Sequence, residues 1–134
     1  MKKISSLISI FVLAGTVMLM AISCRTVKDI PEDLTAPQLL QRGQSYYANA
    51  DYKTAEAYYY ATIDRYGDNT DTYIEAKYEL AHLYVKTKNY EKAQSALEEI
   101  LELYDYASAG TLPPAYKKLA QMEMEKIPNR SAEE

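Results

Sequence analysis

The chain has 134 residues, enough for one domain and too few for two ordinary ones. With 48% hydrophobic and 25% charged residues it has the balance of a folded protein, and four glycines and five prolines are too few for a loop-rich all-β fold. A net charge of −4 without a basic stripe argues against nucleic-acid binding, which rests on neutralising phosphates, and against direct adhesion to anionic lipid. The aromatic residues are lopsided: fourteen tyrosines, one phenylalanine and no tryptophan, every tyrosine falling between Tyr46 and Tyr116. That interval marks the packed domain, because tyrosine joins a large apolar body to a polar tip and suits half-buried helix faces.

Residues 1–23 read as an export signal. Lys2 and Lys3 give a positive start, Ile4 to Ile22 is almost wholly apolar, and Ala21-Ile22-Ser23-Cys24 ends the run with small residues. The sole cysteine stands where a bacterial lipoprotein signal puts its lipidated residue, and the segment resembles a lipobox with Ala21 in place of the usual leucine. Acyl chains on Cys24 would each add about 0.8 kcal/mol per buried methylene, which makes a firm anchor. Two other readings stay open: an uncleaved transmembrane anchor and a plain secreted form. All three place the domain outside the cytoplasm, and a lipid anchor points to the outer membrane or the periplasmic face. Loss of residues 1–23 leaves 13 basic against 19 acidic side chains.

Residues 24–35 form the expected tether. Arg25 to Thr35 has mixed charge, no helical period and Pro31. From Ala36 the chain repeats itself at an offset of 38 residues. Asp51-Tyr52-Lys53-Thr54-Ala55 matches Asn89-Tyr90-Glu91-Lys92-Ala93, Tyr46 falls on Tyr84, Gly43 on Ala81, and Tyr59 on Leu97. A period of this length in a helical sequence means stacked helix pairs. Gly43, Ala55, Ala81 and Ala93 are the small residues that let helices approach. Tyr46, Tyr59, Tyr84 and Leu97 fill the space around those contacts.

These two series resemble the tetratricopeptide repeat: small residue, aromatic, alanine and large apolar residue at the family's spacing. The stretch Arg65-Tyr66-Gly67-Asp68 followed by Tyr73-Ile74-Glu75-Ala76 is similar to the extended turn of envelope lipoproteins related to the outer-membrane assembly factor BamD. Arg42 and Lys77 stand where the family usually has apolar residues, and Gly67 and Asp105 where it has proline. The resemblance spans residues 36–127 and implies an all-α fold of two antiparallel hairpins with a C-terminal capping helix. It also implies that the first helix of each pair lines a concave groove.

Five helices follow in order. Thr35 caps the first, Ala36 to Asn49, with Pro37 in its opening turn. Asp51 caps the second, which stops at Gly67. Asp71 or Thr72 starts the third, running to Lys88, and Asn89 caps the fourth, ending near Tyr104. Pro113 and Pro114 open the fifth, with Leu119, Met122 and Ile127 facing inward and Pro128 closing it. Residues 128–134 are a frayed tail. In the run Tyr58-Tyr59-Tyr60, neighbours about 100° apart cannot share a face. Tyr59 is expected in the core, Tyr58 in a packing seam and Tyr60 partly exposed.

No catalytic constellation is evident. His82 is the single histidine, no second histidine or free cysteine completes a metal set, and there is no Gly-rich phosphate loop. His82 reads as structural or partner-contacting. The pairs Glu98-Glu99 and Glu123-Glu125 read as solvating charge on exposed faces. No cofactor and no nucleic acid is expected, and the partner is a protein or peptide. The expected groove positions are Leu40, Gln44, Tyr47, Tyr78, His82 and Val85, with Lys117, Gln121 and Met124 from the last helix. The alternative is that the fifth helix or the tail fills the groove itself. The function expected is a non-enzymatic adaptor of the bacterial envelope, with a ligand-binding accessory of a transporter as the rival.

Overall fold

The computed structural model describes residues 29–128, so the expected export signal, Cys24 and the tail beyond Pro128 lie outside the described residues. Within them the chain forms α1 (Ala36–Ala48), α2 (Tyr52–Tyr66), α3 (Thr70–Lys86), α4 (Tyr90–Tyr106) and α5 (Pro114–Met124). Consecutive helices pack on one another, and α3 also touches both α1 and α5. The first helices of the pairs therefore line up as α1, α3, α5, with α2 and α4 behind them. No described helix is long and apolar enough to cross a membrane.

Local chemistry sets the helix starts. The Gln38 side-chain carbonyl accepts the Thr35 N–H at 2.9 Å, and the Asp51 carboxylate accepts the Thr54 N–H at 3.3 Å. The third helix begins earlier than Asp71 because Asn69 is its cap, accepting the Thr72 N–H at 2.9 Å. Asn89 precedes α4 without a side-chain capping bond, and α4 runs on to Tyr106.

The turn inside each hairpin has the same construction. Ala50 and Lys88, 38 residues apart, both take left-handed backbone with φ of 58° and 60°. The next N–H in each case reaches back to the last turn of the preceding helix: Asp51 N to Tyr46 O at 2.9 Å and Asn89 N to Tyr84 O at 2.8 Å. This pairing satisfies carbonyls that the helix end would leave open.

The repeat positions lie at helix contacts. Ala55, Tyr59, Ala81, Ala93 and Leu97 have no exposed surface, and Gly43 and Tyr84 are buried. Tyr46 is half-buried and stacks on Tyr58 with centroids 5.4 Å apart. Side chains as large as Leu97, Ile74 and Ile100 each contribute about 1.5–3 kcal/mol on full burial. The three adjacent tyrosines diverge: Tyr58 stacks on α1, Tyr59 is enclosed, and Tyr60 is 48% exposed with its hydroxyl 2.9 Å from that of Tyr84.

Two expectations change. The end of the tether is not loose, because Leu34 is buried and Ile30 packs beside it on Tyr58 and Tyr66. Arg65 donates to the carbonyls of Pro31 and Ile30 at 2.6 and 3.1 Å, and the Tyr66 hydroxyl donates to Leu34 O at 2.7 Å. In α5 the inward stripe is Ala120, Glu123 and Met124, continued by Ile127 in the following turn, and Met122 is 48% exposed. Spacing of three and four residues puts that set on one side, and Met122 falls outside it.

Candidate functional site

One face of α1, α3 and α5, joined by the first residue of α2, carries a ladder of rings. Tyr52 meets Tyr47 edge-on at 5.5 Å between centroids, Tyr47 meets His82 at 5.2 Å, His82 stacks on Tyr78 at 6.2 Å, and Tyr78 meets Tyr116 edge-on at 5.5 Å. Helical spacing builds it. Tyr78 and His82 are four residues apart on α3, while Tyr47 and Tyr116 reach in from the helices on either side.

Hydrogen bonds knit the same helices. The Tyr47 hydroxyl lies 3.0 Å from His82 Nε2, and His82 Nδ1 lies 2.9 Å from Glu123 Oε1. Lys126 Nζ reaches the same Glu123 oxygen at 2.6 Å. One step along the groove, Gln44 Nε2 donates to Glu79 Oε1 at 2.8 Å, while Tyr59 donates to Glu79 Oε2 at 3.4 Å. The Tyr116 phenol and the Glu75 carboxyl are near enough to shift one another.

The electrostatics follow from this packing. Burial raises Tyr47, helped by Tyr52 and by the Glu123 and Glu79 carboxylates. Burial and then Glu123 and Glu79 push Tyr78 up to about 12, and burial with Glu75 and Glu79 takes Tyr116 to about 12. Glu75 is raised by burial and by Glu79, against the lowering effect of Tyr116. At neutral pH the phenols are hydrogen-bond donors. The order Tyr47, His82, Glu123 has the connectivity of a nucleophile, base and orienting acid, yet an activated nucleophile needs a lowered pKa and Tyr47 has the reverse.

Of the nine expected groove positions, the structure joins Gln44, Tyr47, Tyr78 and His82 into this network. Leu40 is buried beneath it and Val85 packs at the edge of the same apolar cluster. Met124 turns into the cluster under α4, and Gln121 is exposed. Lys117 points away from the groove: its Nζ is 3.7 Å from the Asp105 carboxylate and 6.0 Å from the Tyr104 ring centre, both on α4. The expectation that Glu123 is exposed is overturned, since its side chain is 3% exposed and holds His82. Glu99 is likewise engaged, by Lys77 at 2.8 Å and by Tyr73, and those bonds outweigh its burial to lower its pKa. Glu98 is exposed, bonded to Gln94 at 2.7 Å.

Five residues of the site escaped the groove positions expected from sequence: Tyr52, Glu75, Glu79, Tyr116 and Glu123. Glu75 and Glu79 could have been found, because they lie three residues before Tyr78 and His82.

Helix α5 covers part of the groove through Tyr116 and Glu123. Its other end stays open as a cleft of about 490 Å³ lined by Gln38, Leu40, Gln41, Gln44, Thr72 and Glu75. A second open cleft, of about 560 Å³, lies on the opposite side between α2 and α4, lined among others by Tyr60, Lys77, Lys92 and Glu99. Among the described residues, no group of His, Cys, Asp and Glu side chains is placed to hold a metal ion.

Comparison with known proteins agrees with this geometry. Residues 46–109 match the tetratricopeptide repeat family. An uncharacterized protein of Treponema pallidum (strain Nichols) is 36% identical over 100 residues, a match covering 75% of this chain and 40% of the relative. The chain thus spans about two fifths of that relative's length. No solved structure matches significantly. The family match and the helix order lead to one conclusion: the chain folds as two antiparallel hairpins of the tetratricopeptide type, closed by a fifth helix.

Proposed function

We propose that the protein is a non-catalytic, membrane-anchored adaptor of the bacterial cell envelope whose concave face docks a protein partner. The observation that carries the docking face is the ring ladder from Tyr52 through Tyr47, His82 and Tyr78 to Tyr116. It draws on four helices and is half-buried, and rigid aromatic side chains with a polar tip are the usual anchors of a protein contact. The repeat match supports a protein partner, and repeats of this family are typically non-catalytic. Open clefts lined by amides and charge favour docking over enclosure of a small ligand for a transporter. The anchor rests on the signal-like residues 1–23 and on Cys24.

Crosslinking in whole cells, followed by mass spectrometry of the co-purified protein, identifies the partner. Tyr47→Ala and Tyr78→Ala should each lose it by about thirtyfold or more, as truncated anchors do. Glu98→Gln with Glu102→Gln on the exposed side of α4 should retain it. Loss confined to the glutamate variant rejects the concave face. Cys24→Ala should move the protein from the membrane to the soluble exported fraction; continued sedimentation with membranes rejects the lipid anchor.

A further inference from the structure

We infer that the groove takes a cationic segment of its partner, an arginine- or lysine-bearing stretch and not an acidic one. This rests on the reading of the concave face as the docking site.

Three carboxylates lie at the groove: Glu75 and Glu79 of α3 are half-buried, and Glu123 of α5 is buried against His82. Among the described residues neither Glu75 nor Glu79 has an ion pair; Glu79 is bonded by Gln44 and Tyr59, both neutral donors, and Glu75 has the neutral Tyr116 phenol near it. Lys117, the cation expected here, is turned to Asp105 on α4. Lys126 is spent on Glu123 Oε1, which also takes His82.

Glu123 adds an observation of a different kind. Its Oε2 is buried and has no hydrogen-bond donor. A buried, unmet acceptor is costly, and one that carries charge more so. The Glu123 carboxylate raises Tyr47 and Tyr78, so it adds negative potential to the ring ladder while itself staying buried.

The surroundings suit a guanidinium or ammonium group. Tyrosine faces attract a cation, arginine above all, since its plane can stack while its N–H groups reach a carboxylate. The cleft of about 490 Å³ beside Glu75 offers Gln38, Gln41 and Gln44 for the backbone of an extended segment, and Leu40 as an apolar wall. An acidic segment would meet Glu75 and Glu79, for which no ion pair is found among the described residues.

The test uses the full chain in nonionic detergent and three acetylated, amidated decapeptides of serine and leucine. They carry two arginines, two glutamines or two glutamates at the same positions, and binding is measured by isothermal titration. The arginine peptide should bind at least about tenfold more tightly than the glutamine peptide, and the glutamate peptide more weakly still. Its affinity should fall as salt rises from about 50 to 300 mM. Glu75→Gln with Glu79→Gln should weaken the arginine peptide about tenfold, while Glu91→Gln with Glu98→Gln should not. Equal binding of all three peptides, lost in Tyr47→Ala, overturns the charge inference and leaves the docking face standing. Preference for the glutamate peptide, or binding of none, also overturns it. In both cases the docking face is judged separately by the crosslinked partner's response to Tyr47→Ala.

Discussion

Gly43 lies directly against the ring of Tyr59: a Cβ added at residue 43 would stand 2.8 Å from Cδ1 and 3.1 Å from Cζ. Tyr59 has no exposed surface and its hydroxyl is bonded to Glu79, so the ring has nowhere to retreat. Gly43→Ala gains about 1 kcal/mol of helix propensity and loses about 1–3 kcal/mol to overpacking. The expected result is a net loss of stability in urea unfolding. Equal or higher stability would mean that α1 and α2 can separate without cost.

The left-handed residues Ala50 and Lys88 predict the opposite sign. A residue with a Cβ at φ near 60° is strained by about 1–2 kcal/mol, which glycine avoids. Part of that gain returns as extra entropy of the unfolded chain. Ala50→Gly and Lys88→Gly should each stabilise by about 0.5–1 kcal/mol, and by similar amounts, since the two turns are built alike. A fall in thermal midpoint for either would show that its turn relaxes in solution.

Removing His82 should cost more than removing the network altogether. His82→Ala leaves Tyr47 without its acceptor and the buried Glu123 with Lys126 alone, a loss of about 1–3 kcal/mol. His82→Phe combined with Glu123→Met replaces the polar link by apolar packing, and such exchanges are often neutral or stabilising. A double-mutant cycle should therefore give a coupling between residues 82 and 123 of about 0.5 kcal/mol or more. Simple additivity would mean that the bond between α3 and α5 is absent in solution.

How much of this was legible beforehand depended on the range of the signal. The helix pairs were readable because Asp51-Tyr52 and Asn89-Tyr90 repeat with small residues at fixed spacing, and periodicity is a local property. Glu123 was not, because its partner His82 is 41 residues away on another helix. A carboxylate flanked by Met122 and Met124 looks solvent-facing until the opposite helix is in place. Lys117 was misplaced for the same reason, as Asp105 and Tyr104 draw it to α4. The ladder was half visible: Tyr47, Tyr78 and His82 came from the repeat positions, and Tyr116 lies past the repeats.

The raised phenols predict an alkaline limit to stability. Tyr78 and Tyr116 keep their protons to about 12 when folded, whereas an unfolded tyrosine loses its proton near 10. Above pH 10 the unfolded chain binds fewer protons than the folded one, so stability falls as pH rises through this window and is fully present below it. Tyr116→Phe removes one contributor and should flatten the decline between about pH 10 and 12. Unfolding in urea at a series of pH values reads the slope directly, and an unchanged slope would place the Tyr116 phenol in water.

On the proposed anchoring through Cys24, the clasp of Arg65 and Tyr66 on residues 30–34 would shorten the leash of the domain. Extended chain spans at most about 3.3–3.6 Å per residue. Were the leash free up to Thr35, its eleven residues would reach nearly 40 Å. With the clasp closed, Arg25 to Asp29 gives at most about 18 Å. In that proposed anchored form the volume the groove can sweep would shrink accordingly, to partners that themselves come close to the bilayer. Arg65→Ala would then lengthen the reach without touching the groove, so one side chain of α2 would set how distant a partner can be in the proposed anchored form.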